Sequence, residues 1–403
     1  MREFRDIFIL HNKKIRKNAL SLIFWCISFG GHASSLFSLS YCQQQNVNKD
    51  SASVYFSNGL LKYSSRDYTQ AIICFTKALE FDSSFASAYL NRAYAKNELL
   101  DYKGALNDYN HALNLPLTWE ESYEAYFNKA VTQVMLEDLR AAISNFNYAI
   151  KLNPEYVDAY YYRSLAKGKV GDFRGEYDDI NKVISLRPHD SRAFNSRGIL
   201  KSITGDYSGA LEDYNQAILL NKQNANAYFN RAMIYYEQKE YQHALNDFNV
   251  VIQIHPDADT YNRRGNVKYR LNNFMGAFDD YSLAIRIQPG NYISYLNRGH
   301  LRAMLQDDKS AIEDYTIAIK LNPDCSMAYF NRGLAKRRLN DYEGEVADYT
   351  MAIELNPHYE NAYYQRGLAY YETGDKRIGC EDINRAVKLG SDTAYNYLVE
   401  YCR

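Results

Sequence analysis

One arrangement of small, large and polar positions recurs along the chain with a period of about 34 residues, from about Ala52 to the end. Position 8 of each unit is Gly, Ala or Ser, position 27 is Ala or Val, and positions 4 and 24 are large. Small residues let two helices approach closely, and large residues fill the remaining space. The pattern therefore predicts two packed helices per unit, stacked as a solenoid. The units begin at residues 52, 86, 123, 157, 191, 225, 258, 292, 326 and 360.

Prolines mark the ends of the units. Six of the seven lie at position 32, and the seventh, Pro116, lies in an insertion before the third unit. Proline lacks a backbone N–H and restricts the residue before it, so it ends one helix and allows the next to begin. The six are Pro154, Pro188, Pro256, Pro289, Pro323 and Pro357.

The ten units resemble the tetratricopeptide repeat (TPR) family over about 340 of the 403 residues. The resemblance implies an all-α fold, a right-handed superhelical solenoid of helix-turn-helix units. Helix A of each unit would line the inner face, and helix B the outer face. The expected organisation is a signal peptide at 1–33, a linker at 34–51, ten TPR repeats at 52–391 and a C-terminal capping helix at 392–403.

Two positions of the repeat change together. Position 7 is Arg and position 23 is Asp in the same eight units. Unit one has Asn58 and Cys74 instead, and unit three has Lys129 and Asn145. Because paired change suggests contact, we expect an Arg–Asp bridge from helix A to helix B inside each unit. The planar donor fork of Arg suits a carboxylate in a half-buried seam.

Position 20 is Ala in most units, yet Glu176 and Glu345 occupy it in units four and nine. A carboxylate in a close helix contact is costly when it is buried. We expect both side chains to turn outward to solvent. The alternative is that each Glu marks a weak joint at which the solenoid bends.

Composition and charge argue against several classes of function. The net charge is −1, so no overall field favours nucleic acid or an anionic membrane. The chain has no phosphate-binding glycine loop and no H-E-x-x-H or G-x-S-x-G motif, and its His residues share no metal-ligand spacing. We therefore expect no enzymatic activity, no metal and no cofactor. The six Cys have irregular spacing without C-x-x-C, so we expect free thiols rather than a disulfide framework.

The N-terminus has the pattern of an export signal. A basic stretch, KKIRKN (13–18), precedes eleven mostly apolar residues, and a small-x-small site ends at Ala33. These are the parts of a secretory signal peptide. Two alternatives stay open, a lipoprotein site at Cys42 or an uncleaved membrane span from Ala19 to Cys42. All three put the repeats across the cytoplasmic membrane, in the periplasm or the envelope.

The inner face is the expected binding site. By the resemblance, positions 2, 5, 6, 9, 12 and 13 of helix A face inward, and several of these carry amides and aromatic rings. An amide has donors and an acceptor, so it can pair with the backbone of an extended peptide, and aromatic rings offer apolar contacts. The predicted peptide-binding groove consists of Asn91, Phe127, Asn128, Phe229, Asn230, Asn262, Arg263, Asn266, Asn297, His300, Phe330, Asn331, Tyr364 and Gln365.

The sequence favours an exported scaffold or adaptor that binds a peptide or protein partner in this groove. TPR domains that grip a C-terminal carboxylate use two Lys and an Arg at set positions. The nearest run here, from residue 258, lacks all three, which argues against that ligand. The alternative is a structural envelope-assembly factor that associates through its outer surface. Neither function involves nucleic acid or a small-molecule substrate.

Overall fold

The computed structural model describes residues 39–402, with side chains from residue 49 onward. This part of the chain consists of helices joined by short turns, without a strand, and confirms the expected all-α fold. The helices are α1 (Leu39–Ser64), α2 (Tyr68–Phe81), α3 (Ala86–Glu98), α4 (Tyr102–Leu113), α5 (Trp119–Met135), α6 (Leu139–Leu152), α7 (Val157–Lys169), α8 (Phe173–Leu186), α9 (Ser191–Ile203), α10 (Tyr207–Leu220), α11 (Ala225–Glu237), α12 (Tyr241–Ile254), α13 (Ala258–Arg270), α14 (Phe274–Ile287), α15 (Tyr292–Met304), α16 (Asp308–Leu321), α17 (Ser326–Arg338), α18 (Tyr342–Leu355), α19 (Glu360–Glu372), α20 (Lys376–Lys388) and α21 (Asp392–Tyr401).

Each repeat contributes two consecutive helices, A and B. Repeat one is α1 and α2, repeat ten is α19 and α20, and α21 follows as a terminal helix. The helices group into two compact units. The first unit ends at Leu220 with repeat five, and the second begins at Asn221 and holds repeats six to ten and α21. Within each unit, helix B packs on its own helix A and on helix A of the next repeat.

The turn between helices A and B has the same backbone conformation in every repeat. Position 15 has a positive φ, from 59° to 66° where it is not glycine and from 84° to 106° at Gly171, Gly205 and Gly374. Position 16 then caps helix B in most repeats. In repeat two, the Asp101 carboxylate accepts a hydrogen bond from Gly104 N at 3.0 Å, which satisfies one of the unpaired N–H groups of the first turn.

Helices A and B approach most closely where position 8 meets position 24. A Cβ on Gly333 would lie 2.6 Å from the ring of Tyr349, and a Cβ on Gly198 would lie 2.6 Å from the ring of Tyr214. No side-chain contact is that short, so the ring fills the space that a larger residue would need. This contact explains why position 8 is always small.

The expected Arg–Asp bridge is confirmed in all eight repeats that carry both residues. In repeat eight, Arg298 Nε and Nη2 donate to the Asp314 carboxylate at 3.0 and 2.7 Å. Arg298 Nη1 donates to Ser282 Oγ, at position 25 of the preceding repeat, at 3.2 Å. One guanidinium therefore joins three helices. The pairs are Arg92–Asp108, Arg163–Asp179, Arg197–Asp213, Arg231–Asp247, Arg264–Asp280, Arg298–Asp314, Arg332–Asp348 and Arg366–Asp382.

The sequence analysis missed a second cation, which contacts the same Asp at position 23. Position 11 carries Lys or Arg in six of these repeats and reaches the same carboxylate, as Arg302 Nη1 does to Asp314 Oδ2 at 2.8 Å. In repeat three, where position 23 is Asn145, position 11 is Gln133 and accepts a hydrogen bond from Asn145 Nδ2 at 2.7 Å. A buried carboxylate needs cations, whereas a buried amide needs a neutral partner. The six cations are Lys96, Lys167, Lys201, Lys268, Arg302 and Lys336.

The two Glu residues at position 20 differ from the expectation. Glu345 is 0% exposed, so the expected outward turn is wrong for this residue, and Glu176 is half-buried. Glu176 extends over Gly168, whose missing side chain leaves room for the carboxylate, whereas repeat nine has Arg337 at the same position 12. Neither carboxylate oxygen of Glu345 has a hydrogen-bond partner, and burial raises the pKa of Glu345 to about 7.

The N-terminal segment extends the first helix. Helix α1 begins at Leu39, inside the segment expected to be a linker, because no Gly or Pro interrupts residues 39–58. The expected signal peptide at 1–33 lies outside the described residues. Over residues 39–402, no helix is long and apolar enough to cross a membrane.

A disulfide fastens the C-terminal end. It joins Cys380 on α20 to Cys402, which follows α21 directly. The expectation of free thiols is wrong for this pair, because folding brings together two cysteines whose linear spacing of 22 residues gave no reason to pair them. Cys74 and Cys325 are free.

If the Arg–Asp bridge stabilises the repeat, the effects of removing Arg298 and Asp314 should not be additive. Asp314→Asn should destabilise the protein more than Arg298→Gln, because the aspartate loses Arg298 and Arg302 together. The double variant should lose less than the sum of both single variants, by about 1 kcal/mol or more in the free energy of urea unfolding. Glu313→Gln removes a neighbouring exposed carboxylate and serves as the control. Simple additivity would show that the bridge contributes nothing.

Replacing the buried glutamate should stabilise the protein. Glu345→Ala should raise the melting temperature at pH 8, because alanine fits position 20 in other repeats and the unpaired carboxyl is removed. The gain should shrink toward pH 5. Since the folded pKa of about 7 exceeds the ordinary 4.5, the folded state gains a proton in this window, and wild-type stability rises as pH falls through it. Glu343→Ala, an exposed carboxylate on the same helix, is the control. An unchanged melting temperature at pH 8 would contradict the prediction.

Candidate functional site

Helices A of neighbouring repeats lie side by side within each unit, and the surface that they form is called the A face below. Side chains join these helices directly. Ser87 Oγ donates to Glu121 Oε1 between α3 and α5 at 2.6 Å, and Arg337 Nη2 donates to Glu372 Oε1 between α17 and α19 at 2.6 Å. All predicted groove residues lie on helices A, but their exposure and their partners differ.

In the first unit, the predicted groove residues are buried in the core or hydrogen-bonded to their own helix. Phe127 and Asn128 are 2% and 0% exposed. The Phe127 ring packs on Phe146 and Tyr156, with centroids 5.8 and 4.9 Å apart. Asn128 Nδ2 and Asn91 Nδ2 each donate to the carbonyl four residues earlier in their own helix, at 2.8 Å. This corrects the prediction for Phe127 and Asn128, which belong to the core.

Two predicted amides of the second unit also serve packing. Asn262 is 3% exposed, and its Nδ2 donates to Ser294 Oγ on the next helix A at 2.7 Å. Asn266 is half-buried and accepts a hydrogen bond from Tyr281 OH at 2.8 Å. The prediction that Asn262 is open to a ligand is therefore corrected, because helix α15 covers this side chain.

The predicted aromatic residues of the second unit are half-buried. Each ring packs on another ring of the repeat core or of α21, so it presents part of its apolar surface to the A face and part to the interior. The pairs are Phe229–Phe248, Phe330–Tyr349 and Tyr364–Tyr397, with ring centroids 5.6, 5.8 and 6.3 Å apart.

Three amides of the second unit are available to a ligand. Asn297, Asn331 and Gln365 occupy position 6 of three successive repeats, and each is half-buried, so part of its side chain reaches the surface. Within residues 49–402, none of these three side chains makes a hydrogen bond. Asn230, at position 6 of repeat six, is also half-buried. In repeats eight to ten, the A face therefore carries a row of amides at one side chain per repeat, whereas repeat seven has Arg263 at this position.

A second group of polar residues lies near the C-terminal ends of α11, α13 and α15. We call Tyr236, Tyr269, Arg270 and His300 the Tyr–His–Arg cluster. Arg270 Nε donates to Tyr236 OH at 3.4 Å, and Tyr269 OH lies 3.4 Å from His300 Nε2. Partial burial lowers the pKa of His300, and the hydrogen bond to Tyr236 raises the pKa of Arg270. The sequence analysis singled out His300 alone, although positions 12 and 13 face the same way.

The A face of the second unit offers recognition groups rather than reactive ones. Its amides supply donors and acceptors. Arg263 on the same face is paired within its own helix, with Nε 3.4 Å from Asp259 Oδ1. Among the residues whose side chains are described, no group of three or more His, Cys, Asp or Glu could hold a metal ion. Hydrogen bonding and apolar contact are the interactions that this face can make.

Comparisons with known proteins agree with this array of helix pairs. A model of the TPR repeat matches residues 203–239 and 333–374, and models of the tetratricopeptide repeat match residues 225–258, 34–85, 123–156 and 360–392. The chain belongs to the tetratricopeptide repeat family. Proteins of this fold are typically non-catalytic scaffolds that bind other proteins or peptides.

One curated relative shares part of the repeat array. The chain is 33% identical over 76 residues to the Protein STIP1 homolog of Dictyostelium discoideum. The match covers 19% of this chain and 14% of that protein, so the chain spans a small part of its relative's length.

Solved structures with related folds have low sequence identity. The APC/C hetero-tetramer Cut9–Hcn1 matches at 14% identity and a TM-score of 0.49, over 89% of this chain and 88% of that chain. A tetratricopeptide repeat protein from Parabacteroides merdae matches at 17% identity and a TM-score of 0.48, over 63% and 99%. YrrB, described as a TPR protein with an unusual peptide-binding site, matches at 19% identity and a TM-score of 0.41, over 46% and 97%. The likeness is confined to the repeat fold.

Proposed function

We propose that the protein is an exported TPR scaffold that holds an extended segment of a partner protein on the A face of its second unit. The observation that carries this proposal is the row of half-buried amides, Asn297, Asn331 and Gln365, which have no hydrogen-bond partner within residues 49–402. An extended peptide has unpaired backbone N–H and C=O groups, and an amide can pair with both. One amide per repeat would therefore bind the backbone of the ligand, independently of the ligand's sequence.

Apolar side chains on the same helices supply further contact. Ile293, Met304 and Met327 are 44%, 38% and 54% exposed on α15 and α17. Burial of apolar surface stabilises a complex by roughly 25 cal/mol for each Å² removed from water. Methionine is flexible and adapts to ligands of different shape. The face therefore suits an extended segment that carries scattered apolar residues.

Two features support export. Residues 1–33 have the composition of a signal peptide. The disulfide between Cys380 and Cys402 agrees with that location, because disulfides persist in oxidising compartments such as the periplasm and are rare in the cytosol. The proposed location is the periplasm or the envelope, with a possible N-terminal anchor.

The amide row predicts the effect of a triple variant. Replacing Asn297, Asn331 and Gln365 together by Ala should reduce capture of the partner about ten-fold or more, because each lost hydrogen bond costs about 0.5–1.5 kcal/mol. Capture is measured by cross-linking in the native host and quantifying the co-purified proteins by mass spectrometry.

The first unit supplies the matched control for this experiment. Asn91 has the same residue type at the same repeat position, but it donates to its own helix, so Asn91→Ala should capture the partner normally. If the triple variant keeps both its melting temperature and its capture, the binding site lies elsewhere. That result would support the alternative, an envelope-assembly factor that associates through the outer surface.

Export predicts the oxidation state of the cysteines. In protein taken from the envelope fraction and unfolded, Cys380 and Cys402 should resist alkylation until they are reduced, whereas Cys74 and Cys325 should react at once. Cys402→Ser should lower the free energy of unfolding by about 3 kcal/mol, the value for closing a loop of this length. Free thiols at Cys380 and Cys402 in native protein would contradict the proposed location.

A further inference from the structure

Four arginines occupy the ligand-facing positions 6, 12 and 13 of helices A in the second unit, and three of them are neutralised by carboxylates of this chain. The neutralised pairs are Arg263–Asp259 at 3.4 Å, Arg337–Glu372 at 2.6 Å and Arg338–Asp308 at 2.6 Å. Arg270 is exposed and has no carboxylate partner among the described residues. It is thus the cation of this face whose charge remains available.

Arg270 makes one hydrogen bond within the protein, through Nε, which leaves its other nitrogens free. Nε donates to Tyr236 OH on the preceding helix A at 3.4 Å, and no described group accepts from Nη1 or Nη2. The charged and titratable groups that influence Arg270 most are the phenols of Tyr236, Tyr241 and Tyr269, and none of them is a carboxylate. A guanidinium held at Nε presents its two remaining nitrogens as a planar fork, which fits a carboxylate with two parallel hydrogen bonds.

Neighbouring groups on three successive helices A add donors to this fork. Tyr236 OH accepts from Arg270, so its own proton is available to a ligand. On the other side, Tyr269 OH lies 3.4 Å from His300 Nε2, and the two rings are 5.8 Å apart. Phenol and imidazole N–H groups can both donate to an anion. The Tyr–His–Arg cluster therefore combines one free positive charge with several donors.

We propose that the Tyr–His–Arg cluster binds an Asp or Glu side chain of the partner segment, with the carboxylate on the Nη1 and Nη2 atoms of Arg270. This inference rests on the proposed function, because it names a residue type within the segment that the amide row holds. The cluster uses positions 9, 12 and 13 of helix A, and an internal acidic residue satisfies it without a free C-terminus. Backbone pairing would give the affinity, and Arg270 would select acidic segments.

Peptide pools with one fixed residue test this selection. Three pools of fluorescein-labelled decapeptides carry Glu, Gln or Lys at the fifth position and random neutral residues elsewhere. Binding to the full protein is followed by fluorescence anisotropy at low salt, where exposed ion pairs are least screened. The Glu pool should bind about five-fold more tightly than the Gln pool, the factor for about 1 kcal/mol of an exposed ion pair. The Lys pool should bind more weakly than the Gln pool.

Charge reversal at one residue should reverse the preference. Arg270→Gln should equalise the Glu and Gln pools, and Arg270→Glu should favour the Lys pool. Arg286→Gln is the matched control, because it removes the same charge from an exposed position on helix B of the same repeat, outside the A face, so this variant should keep the preference for Glu. Equal melting temperatures of the three variants and the wild type would show that the fold is intact.

The outcomes separate this inference from the proposed function. If all three pools bind the wild type equally, or if Arg270→Glu retains the preference for the Glu pool, the acidic selection is overturned while peptide binding stands. If no pool binds at all, the proposed peptide site on the A face fails, and this inference fails with it.

Discussion

The bidentate contact between Arg at position 7 and Asp at position 23 is the interaction on which helix packing depends in eight of the ten repeats. The aspartates are almost fully buried, as Asp314 is at 1% exposure. A buried carboxylate without cations would cost several kcal/mol. The guanidinium removes that cost and also donates to the preceding repeat. One side chain therefore fixes both the helix pair and its stacking, which sets the distance at which a ring at position 24 fits over a small residue at position 8.

Repetition made the fold predictable. A single unit would show an ordinary Arg and an ordinary Asp, but the shared exceptions in repeats one and three indicate their contact. This comparison did not reveal the second cation at position 11. Two repeats that keep the bridge have Tyr235 and Tyr370 at this position, so position 11 does not vary together with position 23. Features that occur once could not be predicted in this way. The disulfide forms because α21 packs back on α20, and the repeat pattern does not predict this arrangement.

The candidate site was predictable in position but not in exposure. Asn128 and Asn331 share residue type and repeat position, yet Asn128 is 0% exposed and Asn331 is only half-buried. The repeat determines which face of helix A a residue belongs to. The accessibility of that residue depends on the volume of side chains from adjacent helices and turns, such as Tyr156, whose ring packs against Phe127. Likewise, the sequence alone does not show that Arg270 is unpaired. The structure shows it, because it locates the carboxylates that pair with the other three arginines.

The bond between Cys380 and Cys402 makes the two ends of the second unit different, because it constrains the C-terminal end only. In a linear array, an end repeat has one neighbour instead of two, so array ends open most easily. Here the last repeat and α21 are closed into one covalent loop, which opposes opening at this end. The free amides lie in this repeat, which carries Gln365, and in the two repeats before it. A surface that is already ordered before a ligand arrives loses less entropy on binding, so a covalent bond at one end of the array can contribute to affinity.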